Sequence, residues 1–130
     1  KLILKSNKLT NITFSLPMES LIELDLSDNS FYLIQSSMFN NLFMLQKLSL
    51  INNNINYINF DAFNSNLIHL TGIFLGKNLL RYLEPFTFSS MKNLNTINLN
   101  ENLIEKFDYA PFEGLTKLFT ISINSNKINY

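Results

Sequence analysis

Three carboxylates fall close together in the stretch ELDLSD, at Glu23, Asp25 and Asp28. Oxygen donors at this spacing are what a hard divalent cation would take. The chain has a single histidine, His69, and no cysteine. Thiolate metal sites, a disulfide framework and a cysteine nucleophile are therefore excluded. His69 has no second histidine or serine elbow to work with, and reads as a solvated surface residue. No glycine-rich phosphate loop occurs. With no catalytic constellation legible, the chain reads as a non-enzyme that carries no cofactor and no metal. Asn11-Ile12-Thr13 is the one acceptor sequence for an N-linked glycan, and it matters only in a secreted protein.

Asparagine is the polar residue present in excess, twenty-one times in 130 residues. In LSLINNNINYI, residues 48 to 58, four of eleven positions are asparagine. Abundance alone says little, so position must separate a structural asparagine from a solvated one. Its side chain offers an acceptor and a donor on a short arm. Placed where a chain turns into an apolar interior, it can satisfy main-chain groups that would cost about 1–3 kcal/mol each if left unpaired.

The elements that would place such a residue repeat. LQKLSLINNNI sets Leu45, Leu48, Leu50, Asn53 and Ile55 at offsets that recur as Leu21, Leu24, Leu26, Asn29 and Phe31. They return at Leu70, Ile73, Leu75, Asn78, Leu80, then Leu94, Ile97, Leu99, Asn102, Ile104, then Leu118, Ile121, Ile123, Asn126, Ile128. A shortened copy opens the chain with Leu2, Leu4, Asn7 and Leu9. The register asparagines stand at 7, 29, 53, 78, 102 and 126, a spacing near 24. An apolar residue follows at Ile34, Ile58, Leu83 and Phe107, then a phenylalanine at 39, 63, 88 and 112.

Alternation within KLSLI sends Leu48 and Leu50 inward and Lys47, Ser49 and Ile51 outward. One such strand cannot bury its leucines, and stacked copies can. Asn53 is then expected to sit buried at the turn, with Asn52, Asn54 and Asn56 exposed. The phenylalanines should stack along the outer wall as a spine.

This pattern resembles the leucine-rich repeat, in its typical class of about twenty-four residues, over essentially all 130 positions. That class includes Toll-like receptors, small leucine-rich proteoglycans, Slit-type guidance proteins and lamprey antigen receptors. The resemblance implies an α/β solenoid, a horseshoe with a concave parallel sheet of about six short strands and an irregular convex side carrying the phenylalanine spine. It implies one array over 1–130 of about six units. Terminal units of solenoids need polar covers, and the cysteine-bearing caps of extracellular members are absent, so the array reads as an internal segment of a larger protein.

Function would lie on the concave face. Six strands about 4.8 Å apart give a face on the order of 24 Å wide, suited to a protein loop or peptide. The ligand-binding candidates are Glu23, Asp25, Lys47, Ser49, Ile51, Phe74, Lys77, Asn98 and Asn100. Phe74 stands out because Gly72 and Gly76 flank it on the same face, leaving its own strand nothing to cover the ring. Lys1, Glu23 and Lys47 occupy equivalent positions on consecutive strands, so a cross-strand charge ladder explains the acidic cluster better than a cation does.

Lysine plus arginine equals aspartate plus glutamate, ten each. A chain without a basic field argues against nucleic acid or an anionic bilayer as partner. No apolar run is long enough to span a membrane. The expectation is a non-catalytic recognition module of an extracellular or cell-surface receptor or matrix glycoprotein, acting in signalling, with a protein or peptide ligand; dimerisation of a parent receptor is a further expectation. The alternatives are a cytoplasmic scaffold, or the regulatory region of an enzyme whose catalytic domain lies elsewhere.

Overall fold

The computed structural model describes residues 1–63 and 66–129. Its strands are β1 (Leu2–Ile3), β2 (Glu23–Asp25), β3 (Leu33–Ile34), β4 (Lys47–Ser49), β5 (Tyr57–Ile58), β6 (Gly72–Phe74), β7 (Thr96–Asn98) and β8 (Thr120–Ser122). Six of them form one parallel sheet in the order β1-β2-β4-β6-β7-β8, and β3 pairs with β5 on the opposite side of the coils. Among the described residues the helical content is one 3₁₀ turn, Ala110–Phe112, with Pro111 in its first turn. The solenoid and its six-stranded sheet are those expected from the repeat.

Register follows the repeat. Leu24, Leu48, Ile73, Ile97 and Ile121 are successive Cα partners across the sheet, and Leu2 opposes Leu24. From Leu24 to Ile97 these residues are at most 1% exposed. Full burial of such a side chain contributes roughly 1.5–3 kcal/mol relative to exposure, a gain available only because a neighbouring coil closes over each layer. At the first and last coils the equivalent residues, Leu2, Leu4, Ile121 and Ile123, are only partly buried.

The asparagine row lies where the chain leaves the strand. Asn53 Oδ1 accepts the Phe31 amide at 3.0 Å, while its Nδ2 donates to the carbonyls of Leu26, Leu50 and Ile51. Asn78 repeats this with Ile55, Leu50, Leu75 and Gly76, and Asn102 with Leu80, Leu75, Leu99 and Asn100. Asn29 and Asn126 make the equivalent bonds. The Asn7 amide donates to Leu4 and Lys5 of its own turn. The neighbours Asn52, Asn54 and Asn56 are exposed.

The residue before every ladder asparagine is left-handed: Ser6, Asp28, Asn52, Lys77, Glu101 and Ser125, with φ between 54° and 59°. This turns the chain from the strand into the coil at a cost of roughly 1–2 kcal/mol for a side chain with a Cβ. On the far wall the rings of Phe39, Phe63, Phe88 and Phe112 stack at 6.1, 5.9 and 5.7 Å. Phe107 stacks on Phe112 at 5.8 Å.

Candidate functional site

The outward side of the six-stranded sheet is built from two rows in register. One runs Glu23, Lys47, Gly72, Thr96, Thr120, and the other Ile3, Asp25, Ser49, Phe74, Asn98, Ser122. Both rows share strands with buried leucines and isoleucines, so the rigid interior fixes their spacing while leaving their chemistry free.

Charge occupies the side nearer the start of the chain. Glu23 bridges Lys1 at 2.9 Å and Lys47 at 3.9 Å, which is the expected cross-strand ladder. The hydrogen bond and charge of Lys1 lower the Glu23 pKa, and Glu23 in turn raises that of Lys1. Asp28 accepts from Asn52 Nδ2 at 2.6 Å, the main cause of its lowered pKa, and pairs with Lys5 at 3.4 Å. Asp25 Oδ1 accepts the Ser27 amide at 3.0 Å. The three carboxylates thus point to different partners. Lys77 pairs loosely with Glu101 at 4.0 Å. Surface pairs of this kind contribute little.

The other half of the face is neutral. Asn98 Oδ1 accepts the Asn100 amide, and Asn100 Oδ1 accepts that of Asn124. The remaining groups on the two rows are the hydroxyls of Thr96, Thr120 and Ser122.

Phe74 lies between these halves, and its environment corrects one expectation. Its ring is half-buried, and a Cβ on Gly72 would meet it at 3.1 Å, so its own strand does cover it. The ring folds down onto the bare Gly72 backbone. Gly76 is covered likewise by Asn98, whose Oδ1 lies 3.2 Å from where a Cβ would stand. Both glycines are buried for that reason. Ser27, two positions after Asp25, is 5% exposed, with its Oγ 2.7 Å from Ser49 Oγ. Ile51 is half-buried, and its carbonyl accepts the Asp28 amide. His69 and Asn11 are both exposed.

A shallow cavity of about 230 Å³ opens on this face, lined by Lys1, Glu23, Leu24, Asp25, Lys47, Ser49 and Phe74. A larger hollow of about 460 Å³ lies beyond the ladder turn, among Arg81, Tyr82, Glu105, Lys106 and Asn129.

Sequence reasoning passed over some exposed apolar groups. Phe119, just before β8, is 92% exposed. Ile22, Phe43, Met44 and Ile68 line the same edge of the sheet at 38–51% exposure, where later coils carry Lys92, Asn93, Thr116 and Lys117. Comparison of equivalent positions between coils would have revealed them. A second set of cross-coil bonds was also missed: Asn41 Nδ2 to the Phe14 carbonyl, Asn66 Nδ2 to Asn40, and Ser90 Oγ to Phe63. Their signal was a polar residue twelve or thirteen positions after each ladder asparagine.

Residues 68–128 match the family model described as leucine rich repeat. This later part of the chain is thus built of leucine-rich repeats, and the same solenoid continues through the coils before it. Among solved structures, the crystal structure of the TLR13–ssRNA13 complex aligns with a TM-score of 0.80 and 34% identity, over 85% of this chain and 16% of that one. The glycosylated form of the Drosophila Toll–Spatzle complex aligns at 0.78 and 24% identity, over 83% of this chain and 14% of that one, and shares the fold. The leucine-rich repeat chain thus spans less than a fifth of either protein it resembles. Comparison with curated protein sequences gives no match. Among the described residues no helix is long and apolar enough to cross a membrane.

Proposed function

We propose that this array is a non-catalytic recognition segment of an extracellular receptor, binding a protein or peptide ligand on the outward face of its six-stranded sheet. The observation that carries the reading is the contrast between rows. Inward positions stay leucine or isoleucine and ladder positions stay asparagine from coil to coil, while the row from Asp25 to Ser122 passes through carboxylate, hydroxyl, aromatic and amide. Structural need accounts for the first set and leaves the second free to match a ligand. The likeness to TLR13 and Toll supports a receptor setting.

TLR13 is described in complex with single-stranded RNA. On this chain Lys1, Lys47 and Lys77 each face a carboxylate, and phosphate recognition needs an uncompensated basic track. A peptide ligand fits the mixed face better.

The test is to pan a phage-displayed peptide library, with an RNA pool in parallel, against the purified chain. Selected peptides should lose binding to the Phe74→Ala and Asn98→Ala variants and keep it on Phe60→Ser, which alters an exposed residue off the sheet. Selection of RNA alone, or of peptides indifferent to the sheet variants, rejects the reading. In a secreted preparation Asn11 should carry a glycan, seen as a mass shift that Asn11→Gln abolishes.

A further inference from the structure

The cavity beside Phe74 has walls of different chemistry. Asp25, Ser49 and Phe74 are successive partners on β2, β4 and β6, so Asp25 and Phe74 stand two strand spacings apart, about 10 Å at the backbone. Ser49 between them is short, and its hydroxyl bonds to Ser27, which keeps the floor low. The carboxylate of Asp25 forms one wall: Oδ1 is held by the Ser27 amide, and among the described residues no donor stands within hydrogen-bond distance of Oδ2. The opposite wall is the Phe74 ring, laid over Gly72. Glu23 draws Lys1 and Lys47 to itself, so both nearby ammonium groups already face a carboxylate.

An acceptor facing a π system across a gap of this width matches a planar cation. Guanidinium forms paired hydrogen bonds to a carboxylate and also stacks on an aromatic face. An ammonium would satisfy one wall as a point charge, and an anion would meet both carboxylates. Resting on the sheet-face reading above, we infer that this notch takes one arginine side chain of the ligand, its guanidinium paired with Asp25 and stacked against Phe74. The roughly 230 Å³ of space leaves room for the side chain and bridging water. Arginine thereby becomes the anchor residue, and the neutral amides of Asn98 and Asn100 lie to one side for the ligand's main chain.

The test uses the whole chain labelled with nitrogen-15 and titrated with N-acetyl-arginine methylamide. The matched citrulline probe has the same shape without the charge, and the lysine probe keeps the charge without the plane. The arginine probe should shift the amide resonances of Asp25, Ser49, Gly72 and Phe74 saturably, and citrulline should not. Asp25→Asn should weaken binding at least about tenfold and Phe74→Leu about three- to tenfold, with spectra that report whether each variant is folded. Equal binding of citrulline or lysine, shifts centred elsewhere, or no saturable response to arginine would overturn the notch. If arginine fails here while selected peptides still depend on Asn98, the notch is wrong and the sheet-face reading stands. If arginine binds and no peptide depends on the sheet, the notch is an arginine site but the sheet-face reading, and with it the notch's role as the ligand's anchor, fails.

Discussion

The ladder turn and the outward sheet face lie a few residues apart on every coil, yet they obey opposite rules. At the turn the same side chain recurs because the same main-chain groups must be satisfied each time. Asn53, Asn78 and Asn102 are 4–7% exposed and make equivalent bonds. On the face, one row presents aspartate, serine, phenylalanine and asparagine in succession. The fold does not call for one residue type along that row. Regularity therefore marks where stability resides, and irregularity marks where recognition can.

That contrast can be broken most forcefully at the ladder. Asn78→Leu keeps the side chain's size but leaves the buried Ile55 amide without its partner and strips the Leu50, Leu75 and Gly76 carbonyls of one of their two donors each. A loss of about 3 kcal/mol is expected in a urea titration. Asn7→Leu should cost under about 1 kcal/mol, because that amide is exposed and serves only its own turn. Equal losses at both positions would show that cross-coil bonding is not the source of the effect.

On the face, Gly72→Ala is the larger perturbation, since its Cβ would sit 3.1 Å from the Phe74 ring. A destabilisation near 1 kcal/mol is expected as the ring is pushed outward, read from thermal unfolding. Phe74→Ala should cost about 1 kcal/mol or less, as the ring is only half-buried, while removing ligand binding. A large stability loss from Phe74→Ala would move that residue from the recognition side of the comparison to the structural one.

The smallest effect concerns Glu23. Its pKa is lowered from 4.5, chiefly by Lys1, so its contribution is present above that value and fades as pH falls through the lowered one. The Lys1 pKa is raised from 10.5 by Glu23, so the same pair is complete below that value and is lost as pH rises through the raised one. Glu23→Gln should lower the melting temperature slightly at neutral pH, with the gap from the parent chain closing in strong acid and in high salt. A gap that persists in strong acid would mean that Glu23 acts through something other than its charge.

The repeat was legible because its residues answer to one another at fixed intervals. Leu48, Asn53 and Phe63 each have counterparts that sequence spacing alone aligns, and burial in register followed. The left-handed position was not legible. Lys77 and Glu101 occupy it with φ of 56° and 54°, although neither residue type signals that conformation. The neighbouring coils impose it on them. Phe74 was identified as an outward aromatic by alternation, but its resting place was not, because alternation gives a side and not a rotamer. The apolar edge of Ile22, Phe43, Met44 and Ile68 escaped notice for a related reason, since the repeat fixes which positions face inward and leaves the edge positions polar in some coils and apolar in others.

Each ladder asparagine binds main-chain groups of the coil before it and of its own coil, at Asn29, Asn53, Asn78, Asn102 and Asn126 alike. The bond is thus addressed to a neighbour and not to a place. Duplicating or excising one whole coil re-creates every such contact at the new junction. An array built this way can change length by single units during evolution while its recognition surface is redrawn strand by strand.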